Sequence, residues 1–500
     1  MQIELKKCLL GVDIGTTGTK TMLFAADGQC CGHAYQAYET KNPKVGWSEQ
    51  DPQDWWDAVV STIRQVCGDS LGKSVAGISL SVQGGTTVPV DKEFNPVRPA
   101  IVWNDIRCEE ERKKYLEKVG SSEHMYRKTG WRLSKGMNAL QIRWMKDNEP
   151  ESFERTSMFL SVPDYISYKL TGIPALDPSN IGINQLGDIV NRRYDQEILR
   201  FSGIEEAQLP EIIHSGVPIG HLTQAAAAEL GLTTDCVLVS GAHDQYAVAL
   251  GAGAFKDGDI LIGSGTSWVV TSLSNDPDFE SGLAQSVTAV PGLWGSLRSL
   301  SSGGVCLEWW RKSLTISMDG GQIPFDTINA EVAKRKAGAD GLFFYPFSGQ
   351  FGPKQAFPKA SFVGMDLSHD RFHLVRAIME GVAFQSLWML ESFRSQPSGQ
   401  GIRLAGGAAR SRVWCQIVAN TAGLPVRIPE TADLACVGAA ILAGVGCGIY
   451  ANVEEGYSRL VVTDSVIEPE VEQLPAYREM FARYKETAKL LGNLYEQQNG

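Results

Sequence analysis

A glycine- and threonine-rich turn between two apolar runs most constrains how this chain folds. The stretch Gly11–Lys20, GVDIGTTGTK, lies between Cys8–Leu10 and Met22–Phe24. Aliphatic and β-branched residues around a turn whose glycines permit a tight bend predict a strand–turn–strand hairpin. Such a turn presents backbone N–H groups and threonine hydroxyls beside the carboxylate of Asp13, which suits a phosphate and its Mg²⁺. An ordinary hairpin explains the same residues, because a glycine-rich turn is a weak signal.

Length and charge limit the classes of protein that fit. A chain of 500 residues exceeds what one hydrophobic core normally supports, so we expect two large domains. A net charge of −11 argues against nucleic acid or an anionic membrane as a partner. The chain has no long apolar run, no signal-peptide pattern and no CxxC spacing among its ten cysteines. These features favour a cytoplasmic protein with reduced thiols.

Polar clusters follow further apolar runs in the first half. Val75–Val82 predicts a buried strand that ends in Gln83-Gly84-Gly85-Thr86, and a second polar cluster, Trp103-Asn104-Asp105, follows another apolar run. Ligands gather at the carboxyl ends of strands in α/β sheets. The sequence therefore predicts that both clusters belong to a ligand site.

A third unit of the same kind surrounds Asp244. Val237–Ser240 predicts a strand that ends at Gly241, and the small residues of Tyr246–Ala254 predict a closely packed helix. Asp244 is therefore expected near the amino terminus of that helix. The polar segment Lys256–Asp259 is a candidate hinge, and we place the domain boundary just before it, at 1–254 and 255–500.

The second half repeats features of the first. Ile260–Val270 again reads as strand, Gly/Ser/Thr turn and strand, and Cys436–Gly444 is similar to the small-residue helix after Asp244. Together these echoes suggest two similar domains, each of which contributes a phosphate turn to one cleft. At the end of the chain, Val471–Gln498 has the spacing of an amphipathic helix.

The order of these motifs resembles that of the FGGY carbohydrate kinases, in the actin, hexokinase and heat-shock-70 ATPase superfamily. Gly11–Lys20 looks like the first phosphate motif, Gly263–Thr266 like the second and Leu404–Ser411 like the adenosine motif. More specific is Ser361–Met365, which is followed after seven residues by His373–Glu380, as in the family's C-terminal signature. The resemblance implies an α/β fold of two ribonuclease-H-like domains flanking a nucleotide cleft, with sugar and phosphate bound by 1–254 and nucleotide by 255–500.

The resemblance also implies an ATP- and Mg²⁺-dependent transfer of a phosphoryl group to a sugar hydroxyl. Asp244 would be the general base, although a helix N-cap is the alternative for an Asp at that place. Asp13 would organise Mg²⁺ through water, and Lys20 is either a phosphate contact or a solvated strand residue. The residues expected to bind the nucleotide are Thr16, Thr17, Gly18, Gly265, Thr266, Gly406, Gly407 and Ser411.

The acceptor pocket carries the main departures from the family. Its expected residues are Gln83, Gly84, Gly85, Thr86, Trp103, Asn104, Asp105, Asp244 and Gln245. The Trp-Asn-Asp cluster followed by Arg107 resembles the xylulokinase branch, which implies a ketopentose such as xylulose. Xylulokinases usually carry Met-His, and glycerol kinases Arg-Glu, where this chain has Gly84-Gly85. Two glycines either enlarge the pocket or leave backbone amides for the substrate. In a second departure, Gln141 stands where the family usually has Lys.

Two alternatives remain open at this point. One keeps the kinase but changes the acceptor to a polyol, a deoxy sugar, another small carbohydrate or a signalling molecule. The other is a non-catalytic ATP-binding switch, against which the intact Asp244 argues. The resemblance is compatible with a homodimer, but the sequence carries no decisive interface signal, and neither nucleic acid nor membrane is expected as a partner.

Overall fold

The structure is a computed structural model that describes residues 7–499 except for 69, 315–321, 351–355, 358, 394–399, 432 and 462–463. The chain forms two compact units. The first comprises Met1–Phe255, Ser274–Ser296 and Thr431–Val462, and the second comprises Lys256–Leu273, Leu297–Glu430 and Thr463–Gly500. The chain therefore passes between the units more often than a single division at residue 254 implies.

The elements before residue 256 comprise both strands and helices. The strands are β1 (Cys8–Ile14), β2 (Gly18–Ala25), β3 (Cys30–Ala37), β4 (Glu49–Gln50), β5 (Val75–Val82), β6 (Val88–Val90), β7 (Ala100–Ile101), β8 (Met158–Leu160), β9 (Ala175–Leu176), β10 (Gly187–Asp188), β11 (Arg193–Tyr194), β12 (Glu211–Ile212), β13 (Pro218–His221) and β14 (Val237–His243). The helices are α1 (Pro52–Cys67), α2 (Glu109–Lys118), α3 (Ser122–Thr129), α4 (Asn138–Asn148), α5 (Pro150–Arg155), α6 (Val162–Thr171), α7 (Pro178–Ile183), α8 (Gln196–Ser202), α9 (Gln224–Leu230) and α10 (Asp244–Gly251).

The later part of the chain has the same character. Its strands are β15 (Ile260–Ser264), β16 (Trp268–Ser274), β17 (Ala284–Val287), β18 (Trp294–Leu300), β19 (Phe343–Tyr345), β20 (Gly349–Gln350), β21 (Ala356–Phe357), β22 (Ser361–Val363), β23 (Ile402–Gly406), β24 (Val426–Pro429) and β25 (Asp464–Ile467). Its helices are α11 (Val305–Ser313), α12 (Phe325–Ala333), α13 (Arg371–Leu390), α14 (Arg412–Ala422), α15 (Leu434–Gly446), α16 (Val453–Leu460) and α17 (Leu474–Asn499). None of the described helices combines the length and the apolar character that crossing a bilayer requires.

The main sheet of the first unit has the strand order β13-β14-β5-β1-β2-β3. β1 and β2 form the antiparallel hairpin expected from the sequence, with Ile14 opposite Thr19, and β5 has the predicted bounds. β1, β5 and β14 run parallel to one another, so their carboxyl ends lie along one edge of the sheet. These three ends carry Asp13, Gln83 and Asp244.

The prediction that Gly241 ends a strand was wrong. β14 continues through Gly241 to His243, with an irregular register between Val239 and Ala242. A Cβ at Gly241 would lie 1.8 Å from the carbonyl oxygen of Leu80 on β5, so the glycine permits a close approach of two backbones. The irregular register therefore comes immediately before the residues that lead to Asp244.

The second unit contains a comparable sheet. Four strands of this sheet lie wholly within the unit and β16 lies within it except for Ser274, and these five follow the order β16-β15-β23-β24-β25. β15 forms an antiparallel hairpin with β16 and runs parallel to β23, which is the arrangement of β1 with β2 and β5 in the first unit. The repeat of strand, turn and strand is confirmed as a repeat of local topology.

Helix α15 packs against both β1 and α10 at backbone distance. A Cβ at Gly11 of β1 would lie 1.8 Å from the carbonyl oxygen of Cys436, and a Cβ at Gly438 would lie 2.0 Å from that of Ala247. A second close contact joins α10 and α15, because a Cβ at Gly251 of α10 would lie 1.9 Å from the carbonyl oxygen of Leu434 in α15. Glycine is required at these contacts, and through them α15 packs both against the strand that carries Asp13 and against the helix that begins with Asp244.

We expect Gly438→Ala to destabilise the protein by about 1–3 kcal/mol or more, because the methyl group has no space beside a rigid backbone. Urea unfolding, followed by circular dichroism, measures the change. Gly220→Ala is the matched control, since the nearest atoms to its methyl group belong to side chains and not to backbone, namely Ile173 at 3.3 Å and Thr171 at 3.8 Å. Equal stability of the two variants would contradict the packing described for α15.

Candidate active site

Asp13 lies near the carboxyl end of β1 and is buried, with 7% of the residue exposed. Its Oδ1 accepts a hydrogen bond of 2.7 Å from the Ser81 hydroxyl on β5. The ammonium of Lys20 lies 3.7 Å from Asp13 Oδ2 and 2.7 Å from Asp433 Oδ2. Lys20 is thus neither simply solvated nor unpaired, because it bridges two carboxylates.

The surroundings of Asp13 are electrostatically negative. Burial, and then the charge of Asp433, raises the pKa of Asp13 to about 7. Asp244 contributes to this increase in pKa, whereas the Ser81 hydroxyl and Lys20 oppose it. Among the described residues, no three His, Cys, Asp or Glu side chains are placed to hold a metal ion. A Mg²⁺ ion near Asp13 would therefore take most of its ligands from water and phosphate, as Mg²⁺ commonly does.

Asp244 is the first residue of α10 and follows directly on β14. The helix N-cap is His243, and its side chain makes no capping hydrogen bond, so Asp244 is not the N-cap. About a third of the Asp244 side chain, 33%, is exposed, and its Oδ1 lies 3.2 Å from His243 Nε2. A partly exposed carboxylate at the end of a parallel strand is suitably placed to take a proton from a bound hydroxyl.

A polar network joins the phosphate turn to the predicted acceptor residues. The Thr16 hydroxyl donates to Gln83 Oε1 at 2.9 Å and accepts a hydrogen bond of 3.0 Å from Trp103 Nε1. Gln83 Nε2 donates to Gln50 Oε1, and Gln50 Nε2 donates to the carbonyl oxygen of Thr16. Thr16, Gln83 and Trp103 are therefore brought together, and Gln50 is a member of the network that sequence reasoning missed.

The rest of the phosphate turn is closed on one side. Thr17 is exposed, and its carbonyl oxygen accepts a hydrogen bond from the Tyr35 hydroxyl at 3.2 Å. Gly18 is buried, and a Cβ there would lie 2.5 Å from the Tyr35 ring. The backbone of the turn closes on itself through a hydrogen bond from the Gly15 amide to the Gly18 carbonyl. The turn thus leaves the Thr17 side chain open to a ligand.

Gly84 does not enlarge the pocket, because neighbouring side chains fill the space beside it. A Cβ at this position would lie 2.8 Å from Ile183 Cγ2 and 3.0 Å from His243 Cδ2. Both neighbours belong to other elements, α7 and β14. The ring of His243 thus occupies the region that a side chain on the turn would otherwise enter.

Gly85 is also enclosed. Its φ of 73° is in the left-handed region that favours glycine, and a Cβ would lie 2.7 Å from Met137 Sδ and 3.1 Å from Trp103 Cβ. Its amide donates to Asn184 Oδ1 at 3.1 Å, so this N–H is not available to a substrate. Gly85 therefore neither enlarges the pocket nor leaves its backbone amide for a substrate.

Gln141 anchors the loops around the predicted acceptor site. It is fully buried, and its Nε2 donates to the carbonyl oxygens of Gly136 at 2.8 Å and of Gly85 and Val102 at 3.3 Å each. One amide group therefore holds three segments, two of which carry or precede predicted acceptor residues. Gln141 replaces the lysine that is usual in the family, and its side-chain amide still provides a hydrogen-bond donor at this position.

The remaining predicted acceptor residues differ in how far they are available. Trp103, which is 43% exposed, and Asn104 lie at the surface of their loop. The Asp105 carboxylate is enclosed and accepts hydrogen bonds from the Ser48 amide and the Arg107 guanidinium. This geometry favours a role for Asp105 in holding the loop rather than in contacting a substrate.

Thr86 and Gln245 differ in how exposed they are. Thr86 is fully buried, and its hydroxyl has no hydrogen-bond partner within the described part of the chain. Gln245 is half-buried in the first turn of α10, beside Asp244. Of these two residues, Gln245 is the accessible one, and it is adjacent to Asp244 in the sequence.

The second unit contains a cavity of about 680 Å³. Four predicted nucleotide-binding residues line it, namely Gly265, Thr266, Gly407 and Ser411. Its size is in the range of cavities that bind small molecules and cofactors. The sequence missed Gly304, Lys312 and Asn329, which also line this cavity; the Gly303-Gly304 pair before α11 was the available signal.

Ser264 holds the two glycine-containing turns of this cavity together. Its carbonyl oxygen accepts a hydrogen bond of 2.8 Å from the Gly407 amide, and its hydroxyl accepts one of 3.0 Å from the Ala408 amide. Gly406 has a φ of 94°, and a Cβ there would lie 2.8 Å from the carbonyl oxygen of Ser264. Gly406 therefore permits the close approach of β23 to β15.

Ser411 caps helix α14. Its hydroxyl accepts a hydrogen bond from the Trp414 amide at 3.2 Å and donates to Asn329 Oδ1 at 2.7 Å. Ser411 is therefore the N-cap of α14 as well as a residue of the cavity wall, and Asn329 is an additional polar group on the same wall.

Comparisons with known proteins agree with this geometry. Sequence profiles of the FGGY family of carbohydrate kinases match residues 8–251 with their N-terminal domain and residues 260–447 with their C-terminal domain. The chain belongs to the FGGY family of carbohydrate kinases. It is 31% identical to the L-xylulose/3-keto-L-gulonate kinase of Escherichia coli (95% of each chain) and 28% identical to the xylulose kinase of Bacillus subtilis (96% of each).

A solved structure of an FGGY kinase relative matches the whole fold. The xylulose kinase from Rhodospirillum rubrum is 27% identical and superposes with a TM-score of 0.88 over 98% of this chain and 100% of its own. The predicted α/β fold of the actin, hexokinase and heat-shock-70 ATPase type is thereby confirmed. As a member of the FGGY family, the chain is a carbohydrate kinase that uses ATP as its phosphoryl donor.

We expect Gln141→Leu in this FGGY kinase to raise the Michaelis constant for the carbohydrate acceptor, because three carbonyl groups lose their donor and the loops of Gly85 and Trp103 loosen. The loss of stability should be about 1–3 kcal/mol. Steady-state kinetics with each substrate varied in turn measures the effect, and the exposed Gln53→Leu in the same unit is the control. An equal rise in the Michaelis constant for ATP would contradict the local role of Gln141.

Proposed function

We propose that this FGGY kinase transfers the γ-phosphoryl group of ATP to a hydroxyl of a small neutral ketose, with Asp244 as the general base. The observation that carries the proposal is the position of Asp244, a partly exposed carboxylate at the carboxyl end of β14 whose charge affects the buried Asp13. The acceptor residues and the turn with Thr16, Thr17 and Gly18 belong to the first unit, and the other proposed nucleotide residues belong to the second.

The reaction requires a proton acceptor, a positioned hydroxyl and a neutralised phosphate. Asp244 takes the proton from the acceptor hydroxyl while the oxygen of that hydroxyl attacks the γ-phosphorus. The bond between this phosphorus and the β,γ-bridging oxygen then breaks and ADP is released. Gln245 and Asn104 bind acceptor hydroxyls, and the ring of Trp103 covers an apolar face of the sugar.

Asp13 is the proposed holder of Mg²⁺, through water, and Thr16 and Thr17 lie on the turn that receives the phosphates. When bound, Mg²⁺ supplies neutralisation of charge on the β- and γ-phosphates. The fit of Asp13 to this role rests on its burial together with the nearby charges of Asp433 and Asp244. In the second unit, Gly265 and Thr266 present backbone groups to the phosphates, Gly407 lets the nucleotide approach the backbone closely, and Ser411 and Asn329 bind the nucleoside.

The charge of the acceptor pocket favours a neutral sugar. Arg107 follows the Trp103 loop, but its guanidinium is committed to Asp105 and Glu49, at 2.7 and 2.9 Å. Lys20 is committed to Asp433. A carboxylate on the acceptor would therefore lack a cation from either residue. Relatives named as xylulose kinases support a ketopentose, and the relative named for both L-xylulose and 3-keto-L-gulonate makes sugar acids the necessary comparison.

We expect ADP release with ketopentoses to exceed that with polyols, aldoses and sugar acids by at least tenfold in kcat/KM. A coupled assay over such a panel, with mass spectrometry of the phosphorylated product, measures this preference. A higher value for a sugar acid would refute the neutral acceptor, and ATP binding without any phosphorylated product would favour a nucleotide switch.

The role of Asp244 is tested in the same assay. Asp244→Asn should lower kcat by about 10²- to 10⁴-fold, as expected for loss of a general base, while ATP binding measured by calorimetry stays unchanged. The exposed Asp235→Asn, just before β14, is the control. A kcat for Asp244→Asn within a few-fold of the wild type would exclude Asp244 as the base.

A further inference from the structure

We propose that His243 is a positioning residue that holds the Asp244 carboxylate through its imidazole, and that Gly84 provides the space for this ring. The proposal rests on the proposed role of Asp244 as the base, and it adds a residue that determines how that base is presented to the acceptor.

The first argument is the contact between the two side chains. His243 Nε2 lies 3.2 Å from Asp244 Oδ1, at the long end of the range for a hydrogen bond. Asp244 Oδ1 is buried and makes no well-aligned hydrogen bond with any described residue, so the 3.2 Å contact with His243 Nε2 is a close approach that still has to align. A neutral imidazole with its hydrogen on Nε2 can donate to Oδ1, and this contact leaves Oδ2 for the acceptor hydroxyl. Hydrogen bonds of this kind often shorten only when the substrate is bound.

The second argument is that His243 is itself firmly held. Only 6% of its side chain is exposed. Its amide donates to the Ser179 hydroxyl at 2.8 Å, and that hydroxyl donates to the buried carboxylate of Asp177. The ring lies 5.9 Å from the ring of Tyr246, between centroids. A rigid backbone and a confined ring are what a group needs if it is to orient another side chain.

The third argument comes from Gly84. A Cβ at this position would approach His243 Cδ2 to 3.0 Å and Ile183 Cγ2 to 2.8 Å. Any side chain on the turn would therefore displace the imidazole or be displaced by it. The missing side chain at Gly84 and the imidazole at His243 are thus linked, because the glycine leaves the space that the ring occupies.

The test compares two substitutions of His243 in the full-length enzyme, with the acceptor that the wild type phosphorylates best. His243→Leu removes the donor, and we expect kcat to fall about 10- to 100-fold with little change in the Michaelis constants. In His243→Gln, an amide nitrogen takes the place of Nε2, so kcat should stay within about threefold of the wild type. His221→Leu, on the exposed edge strand β13, is the control.

A double-mutant cycle shows whether His243 acts through Asp244. In the Asp244→Asn background, His243→Leu should cause no further loss, because residues that act as a unit are not additive. If His243→Leu leaves kcat unchanged while Asp244→Asn lowers it, the inference is wrong and the proposed base stands. An equal loss in both backgrounds would also overturn the inference. Full activity of Asp244→Asn would instead refute the proposal that Asp244 is the general base.

If the leucine variant does not fold, His243→Asn provides the same test. Asparagine keeps a polar side chain but is too short to reach Asp244, so kcat should fall as expected for leucine, and glutamine should again restore it. Equal rates for the asparagine and glutamine variants would overturn the positioning role.

Discussion

Backbone contact between α15, β1 and α10 is the constraint on which the first unit's site depends. Glycine at Gly11, Gly438 and Gly251 allows backbones to approach where a Cβ would lie within 2.0 Å of a carbonyl oxygen. Because of these contacts, the strand that carries Asp13 and the helix that begins with Asp244 both pack against α15. The contacts also explain why α15, which is distant in sequence, belongs to the first unit. The position of the two carboxylates is therefore set by packing and not by a direct bond between them.

Hydrogen bonds and charges around the phosphate turn and Asp13 determine how these residues can bind ligands. Thr16 links the phosphate turn to Gln83 and Trp103 through hydrogen bonds. A shift of the phosphate turn would therefore displace these two acceptor residues, and a shift of either residue would displace the turn. Burial and neighbouring carboxylates raise the pKa of Asp13 to about 7, and Lys20 relieves part of the repulsion through Asp433. Such a cluster favours a bound cation, since each added negative charge disfavours the ionised form of the others.

Local patterns in the sequence predicted the hairpin of β1 and β2, the bounds of β5 and the helix after Asp244, because apolar runs and glycine turns are local signals. They did not predict that β14 continues through Gly241, since that depends on the approach of Leu80 from another strand. The enclosed carboxylate of Asp105 and the filled space beside Gly84 depend on Arg107 and His243, which sequence reasoning had not connected with them. The division of the chain into units likewise depends on α15 returning to β1. Contacts between distant segments are what a single sequence does not display.

The most direct test of this account is a crystal structure with a carbohydrate acceptor and a non-hydrolysable ATP analogue. We predict that the acceptor hydroxyl lies about 2.6–3.2 Å from the Asp244 carboxylate, which is the range for proton transfer to a general base, and that the nucleotide contacts Gly265, Gly407 and Ser411. An acceptor bound away from Asp244, or a nucleotide outside the cavity of the second unit, would contradict the account.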